Sequence, residues 1–439
     1  MIFLVFCILN VINTVLYFRK KYLLFIFLSI AILFVEPLFQ KLLDVNMKGE
    51  SWNVFGFDRL KSNLVVISSY LGILAFSPSI KSPLPMLKSI HLYAIALVIF
   101  HIINTIFSLN QQNSLAIVIV SIIGPLMFFY ILLGFPKDIF CDNASILKII
   151  YSLTIFFVLI GLFLYNRTSV DLFDVVDGRT AGGIWLSNIA TQILALFFPF
   201  VFSKHKFKYS GVLRLFSLFS YLVLIFVSLS RTALVVYLSM SLIILFGSKV
   251  RFRNFIRLLI SVTILYYLAS EWFNNDIFES FSNRFNSVGS SRETIVSDSR
   301  FGVYAEAFEI VKGHEILGTG ISSFNVLNEN GFSNAHNIFI NIFVERGIIG
   351  IVFLLLFIKF FLSTNKMAFK AFGKYSYERE TLRLIKIGVF GFFLIALTGN
   401  ELYTNSGFIT GWATYLLLFL LVIQIQKVAW VKNNYGING

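Results

Sequence analysis

Residues 211–247 read GVLRLFSLFSYLVLIFVSLSRTALVVYLSMSLIILFG, an apolar run whose only charged side chains are Arg214 and Arg231. As one helix, at about 1.5 Å per residue, it would reach roughly 56 Å, nearly twice the ~30 Å hydrocarbon core of a bilayer. The run must therefore turn, and Ser228-Leu-Ser-Arg-Thr232 is its most polar point. Two apolar helices joined by a turn that carries Arg231 are the unit of a helical membrane bundle.

The rest of the chain has the same texture. Of its 439 residues 57% are apolar and only 13% charged, against about 25% charged in soluble domains. The mean hydropathy is +0.83. Outer-membrane barrels are excluded, because their strands alternate apolar and polar residues about ten at a time. Apolar runs at 2–17, 22–38, 64–76, 90–107, 115–133, 146–165, 181–202, 212–229, 232–246, 255–269, 338–361, 384–397 and 408–424 predict an all-α polytopic membrane protein. They read as 13 transmembrane helices, within a range of 11–14, with one long structured external loop. Three segments follow: an N-terminal transmembrane bundle over 1–269, the long loop over 270–334, and C-terminal transmembrane helices with a cytoplasmic tail over 335–439. The run from Met1 has no basic region before it and no small-residue cleavage site after it, so it reads as a first anchor rather than a cleavable signal.

The net charge of +14 is scattered between the apolar runs rather than gathered on one face, which excludes a nucleic-acid partner. With the N-terminus outside, most Lys and Arg, including Arg19, Lys20, Lys21, Lys204, Lys206, Lys208, Arg251 and Arg253, fall in cytoplasmic loops, and most acids fall outside, as membrane topology requires. Lys41, Lys48, Arg59 and Lys61 dissent, in an external loop. The same layout puts Cys7 and Cys141 on opposite sides of the membrane, so they should not pair.

From Ser270 to Asn334 the chain leaves the membrane for a loop long enough to imply function. Phe301, Tyr304, Phe308 and Val311 recur at helical spacing, with Glu306, Glu309 and Lys312 on other faces and Gly313 as the stop. Such a helix could lie in the membrane interface; equally, it could be a lid packed on the bundle. Gly318 and Gly320 then mark a tight turn or close backbone approach. Ser333 and Asn334 read as N-cap residues of the helix that opens with Ala335-His336-Asn337. Asn337, Asn341 and Glu345, four residues apart, line one face of an apolar span, and polar groups at membrane depth usually face an interior or a wet cavity. A first-turn position for His336 would favour the neutral base and draw phosphate to the nearby amides; a merely interfacial histidine is the plainer alternative. Arg231 offers a fixed fork for phosphate or carboxylate, or simply snorkels to headgroups. Arg292 and Arg300 lie in the loop, where a solvated charge is the ordinary reading. His91 and His101 read as structural, and His205 and His314 have no visible partner.

Taken together, Ser230-Arg231-Thr232 opening a span, Arg300 ahead of Leu317-Gly318-Thr319-Gly320 and Phe324, and His336-Asn337 ahead of Glu345-Arg346-Gly347-Ile-Ile-Gly350 resemble the O-antigen polymerase and O-antigen ligase superfamily of bacterial inner-membrane glycosyltransferases. The likeness covers residues 230–350, and it departs from the family pattern in lacking a proline near Glu315. It implies transfer of an oligosaccharide from undecaprenyl pyrophosphate to a sugar hydroxyl on the periplasmic face, without metal or other cofactor. His336 is then the expected base. Arg231 and Arg300 are expected to stabilise the pyrophosphate leaving group. Asn337 would orient the acceptor or the imidazole, and Glu345 would pair with Arg346 or position an arginine. Arg292, Gly318 and Gly320 complete the expected substrate-binding set. No Asp-x-Asp element marks a metal-dependent sugar-nucleotide site. The partners implied are the undecaprenyl-pyrophosphate-linked oligosaccharide, membrane lipids and a chain-length regulator. A polymerase is favoured over a ligase, with a protein O-oligosaccharyltransferase third. A flippase or other transporter would call for internal repeats, which the sequence does not display, and a purely structural protein has no need of Arg231 or of the polar stripe.

Overall fold

The computed structural model describes residues 2–32, 55–76, 85–108, 111–167, 188–228, 231–247, 299–321, 323–328, 335, 337–372, 377–397 and 408–435. Helices make up nearly all of this backbone, and no strand occurs among the described residues. The N-terminal half supplies α1 (Ile2–Phe18), α2 (Tyr22–Ile32), α3 (Phe55–Phe76), α4 (Pro85–Ile106), α5 (Gln111–Val118), α6 (Gly124–Leu133), α7 (Lys137–Cys141) and α8 (Asn143–Arg167). Next come α9 (Asn188–Ala195), α10 (Ser210–Ser228) and α11 (Arg231–Gly247). The C-terminal part supplies α12 (Ser299–Val311), α13 (Phe324–Leu327), α14 (Ile338–Ala371), α15 (Tyr377–Ala396) and α16 (Phe408–Tyr435).

The core is built around α16. A helix that is apolar on every side belongs inside a bundle, and 89% of the residues of Ala413–Val431 are buried. Helices α6, α7 and α14 pack around it. At one end Gln426 Nε2 donates to the Leu133 carbonyl at 2.9 Å, which satisfies one of the carbonyls that α6 leaves open at its C-terminus. Between α5 and α6 the residues Ile119–Ile123 form a single π-helical turn, closed by the Gly124 amide on the Ile119 carbonyl. Pro125 follows at the first turn of α6, where its missing N–H is tolerated. Gly124 admits α16 closely: a Cβ there would stand 2.5 Å from the Tyr415 hydroxyl.

The decisive run 211–247 forms two helices, α10 ending at Ser228 and α11 beginning at Arg231, and they fold back on each other, since the Tyr221 and Tyr237 rings lie 5.8 Å apart. Among the described residues three helices are long and apolar enough to cross a membrane, at Leu87–Ile106, Ile338–Ala371 and Ala413–Val431, beside several shorter apolar helices. Several expectations are revised. The run 181–202 is not one continuous helix over its described part: α9 stops at Ala195 and a 3-10 turn, Phe198–Phe202, follows with Pro199 at its start. Gly388 of α15 lies against this break, where a Cβ would meet the Leu196 carbonyl oxygen at 2.3 Å. The run 255–269 lies outside the described residues, as does most of the segment 270–334. Helix α12 forms where expected and ends at Gly313, whose φ is +80°. Its buried face, however, is Val303, Ala307 and Val311 rather than Tyr304 and Phe308. Those small side chains let α12 press on Val344 and Ala335, while Phe308 stays half exposed and meets Phe343 ring to ring. Cys7 and Cys141 are both free thiols.

Candidate functional site

Helix α14 opens at Asn337, not at Ser333 or Asn334. The Asn337 backbone is extended, and its Oδ1 accepts the amides of Phe339 (2.9 Å) and Ile340 (3.3 Å), the geometry of an N-cap. Its Nδ2 donates to the Leu397 carbonyl at 3.0 Å, beyond the end of α15. Asn341, one turn on, accepts the Ala335 amide at 3.2 Å. Two members of the polar stripe thus engage backbone around the chain entry at 335–337. His336 itself lies outside the described residues, and because the cap falls at Asn337 it precedes the first helical turn in the sequence instead of sitting within it.

Nine residues into α14 (338 to 346) the helix breaks. Gly347 has φ +63° and ψ −163°, a region open in practice to glycine alone. A break at a buried position frees backbone groups that must find partners, and the loop after α12 supplies them. The Ile348 amide donates to the Glu315 carbonyl (2.8 Å) and the Ile349 amide to the Ile316 carbonyl (3.3 Å). In return the amides of Thr319 (2.8 Å) and Gly320 (3.0 Å) donate to the carbonyls of Val344 and Glu345. Gly318 and Gly320 therefore serve close approach: a Cβ on Gly318 would stand 2.3 Å from the Arg346 nitrogen, and one on Gly320 2.4 Å from the Ser108 Cα. The turn forms without the family's proline, since the Glu315 carboxylate accepts the Gly313 amide at 3.0 Å. Hydrogen bonds from its own amide and that of Gly313 hold this carboxyl below its usual pKa.

The third member of the stripe, Glu345, is buried beside Arg346, with Oε2 and Nη1 3.6 Å apart. Arg346 Nε donates to His101 Nε2 on α4 at 3.1 Å. The His101 Nδ1 lies 2.7 Å from the Leu97 carbonyl, which can only accept, so Nδ1 carries the proton and Nε2 is the acceptor. Also from α4, Asn104 Nδ2 donates to the carbonyls of Leu317 (2.8 Å) and Glu345 (3.1 Å). The hydroxyls of Ser108 (2.8 Å) and Ser114 donate to the Ile321 carbonyl. From sequence Asn104, Ser108 and Ser114 were not singled out and His101 read as structural; polar residues within and just after an apolar span were the available signal. A cavity of about 70 Å³ borders His101, Arg346, Ser121 and Thr414, room for several ordered waters. Among the described residues no group of three or more His, Cys, Asp or Glu is placed to hold a metal ion.

Helix directions bring distant parts of the sequence to one end. Arg383 donates to the Ile243 carbonyl at 3.2 Å, and Met240 packs on Gly391. Helix α11 therefore runs antiparallel to α15, and its head, Arg231, lies at the end where α15 finishes. The Asn337–Leu397 bond puts the start of α14 there too. Helix α12 runs alongside α14 in the same direction, because Phe308 meets Phe343 and Glu315 bonds Ile348. Eight residues back from each ring lie Arg300 (308 − 8) and Ala335 (343 − 8), so Arg300 also belongs to this end. The backbones of Arg231 and Arg300 are described and their side chains are not; Arg292 lies outside the described residues. Glu345, Gly318 and Gly320 sit apart, about 12 Å farther along α14 at 1.5 Å per residue.

Residues 216–355 match the protein family described as O-antigen ligase. No curated protein matches the chain. The matched segment contains α11, α12, the glycine turn and the first part of α14, which is the region where the motifs lie. Over residues 216–355 the chain is thus similar to that family, which supports the likeness to the O-antigen polymerase and ligase superfamily that the motifs carry.

Proposed function

We propose that this protein is an O-antigen polymerase. It joins oligosaccharide repeat units carried on undecaprenyl pyrophosphate, at the periplasmic face of a bacterial inner membrane that the chain crosses about 13 times. The observation that carries this reading is the shared end of α11, α12 and α14. It gathers the backbone positions of Arg231 and Arg300 with Asn337, the neighbour of His336, inside the matched segment. Two arginines suit a pyrophosphate leaving group, whose charge grows as the glycosidic bond to it breaks. His336 takes the proton from the acceptor hydroxyl as that oxygen attacks the anomeric carbon. No metal enters this scheme, and a chain-length regulator is its expected partner. The second reading, a ligase that moves the finished glycan to lipid A core, is favoured by the description of the matched family.

A gel of lipopolysaccharide from a host lacking this gene separates the two. Collapse of the ladder to core plus one repeat unit supports the polymerase. Bare core, with polymer accumulating on undecaprenyl pyrophosphate, means the ligase. An unchanged ladder removes both. In either enzyme His336→Ala and Arg231→Ala are expected to abolish transfer while the protein still accumulates in the membrane; transfer by purified His336→Ala would withdraw the base assignment.

A further inference from the structure

The geometry points to His101 and Asn104 of α4 as positioning residues for the candidate site, acting through the break in α14. This deepens the transferase reading and rests on it for the word site, though the mechanical part stands alone.

Four observations carry it. First, Arg346 and Glu345 are each about 99% buried within an apolar helix. Ionic groups at such depth are costly, and a buried ion pair is weak evidence for stability, since apolar pairs of similar volume often do as well. Their presence calls for a task other than holding the bundle together. Second, the pair stands immediately before Gly347, at the one place where α14 departs from helical geometry. Third, the backbone freed there is bonded to residues 315–320, and Asn104 grips one carbonyl on each side of that seam, Leu317 in the loop and Glu345 in the helix. Fourth, that loop is the direct continuation of α12, whose head is Arg300, while the broken helix begins beside His336. The protonated Nδ1 of His101 fixes Nε2 as acceptor for the Arg346 guanidinium. The network therefore sets how α12 sits along α14, and with it the spacing between the Arg300 and Asn337 backbones. A shift of about 1 Å in such spacing is enough to cost a hundredfold in rate.

The test uses the full-length protein in detergent or nanodiscs, in three forms besides wild type. His101→Leu removes the acceptor for Arg346. His101→Gln returns an acceptor oxygen. Asn104→Ala removes the grip on the loop without touching the charged pair, and serves if His101→Leu fails to accumulate. Hydrogen exchange is followed at the amides of Thr319, Gly320 and Ile348. Expected is about tenfold faster exchange at these amides in His101→Leu, the scale of one lost hydrogen bond to a charged group, and in Asn104→Ala, the scale of two lost neutral ones, with His101→Gln close to wild type. In a transfer assay with lipid-linked donor, the same two variants lower kcat and leave the donor KM near its wild-type value, and His101→Gln restores kcat. Unchanged exchange in both loosening variants overturns the proposal, as does loosened exchange with wild-type kcat. A wild-type protein that transfers nothing would instead remove the transferase reading, and the exchange data would still decide whether the network holds the loop.

Discussion

Asn337 ties the start of α14 to the end of α15. Its side-chain amide donates to the Leu397 carbonyl at 3.0 Å while its oxygen caps the Phe339 and Ile340 amides. The two functions separate by substitution. Asn337→Ala loses both and is expected to cost about 1 kcal/mol of stability. Asn337→Asp keeps the cap, and gains from the helix dipole, but loses the donor to Leu397. Thermal unfolding in one detergent should rank wild type and Asn337→Asp together above Asn337→Ala; equal loss in both variants would mean that the α15 contact, not the cap, dominates.

Gly347 is expected to tolerate no side chain. Its φ of +63° disfavours any other residue, and a Cβ would lie 2.2 Å from the Ile316 carbonyl oxygen, which is backbone and cannot swing aside. Gly347→Ala should therefore cost more than the roughly 1–3 kcal/mol of a strained backbone position, read as loss of folded material in fluorescence-detected size exclusion. Gly302, in α12, has open space around its Cβ direction; Gly302→Ala should be neutral or slightly stabilising by the same measurement.

The Glu345–Arg346 pair predicts a non-additive pattern. Removing Glu345 alone, as in Glu345→Ala, strands a buried guanidinium, and such single removals cost about 3–5 kcal/mol. A Glu345→Leu/Arg346→Met double variant should recover most of that stability, because neither charge is then left in the interior. Chemical unfolding of the three proteins checks this; a double variant as unstable as the single one would show that the pair itself holds the helix break closed.

Stability should also depend on pH through Asp142, which caps α8 between α7 and α8. Partial burial disfavours its charge, but hydrogen bonds from the Ser145 hydroxyl and the Ala144 and Ser145 amides outweigh this and hold its pKa below the usual value. Because the folded pKa is depressed, the stabilisation is present above the unfolded value, near 4, and is lost as pH falls through the folded value. Asp142→Asn should lose that acid limb of a melting-temperature profile while remaining a competent cap at neutral pH. A profile that keeps its limb would assign it to another carboxyl.

Much of the architecture was legible because it follows from length and hydropathy. The run 211–247 had to divide, and its second helix begins at Arg231. Gly313 ended a helix whose spacing was plain. What stayed hidden depended on pairing across the chain. His101 and Arg346 are 245 residues apart, and nothing local to either announces the other. The aromatic spacing of α12 shows a helix but not which face it buries; close packing on α14 selects Val303 and Ala307. The cap at Asn337 was missed for a similar reason: Ser333 and Asn334 have the right chemistry, but Asn341 holds Ala335 in the entry segment and delays the helix. Of the candidate site, the identity of Arg231, Arg300 and Asn337 came from the sequence, and their shared end came only from helix directions.

The burial of α16 bears on how the bundle is made. This helix follows all the others described in chain order, yet α6, α7 and α14 pack directly on it. During synthesis those helices are made before their central post exists. Until α16 arrives they have lipid or one another where Leu416, Phe419 and Leu420 belong, so the earlier arrangement has to be loose enough to admit a whole helix sideways. Assembly of this core thus closes only after α16 has been made. Substitutions that make α16 more polar are expected to leave the earlier helices inserted but unlocked, visible to membrane proteases before any loss of insertion is.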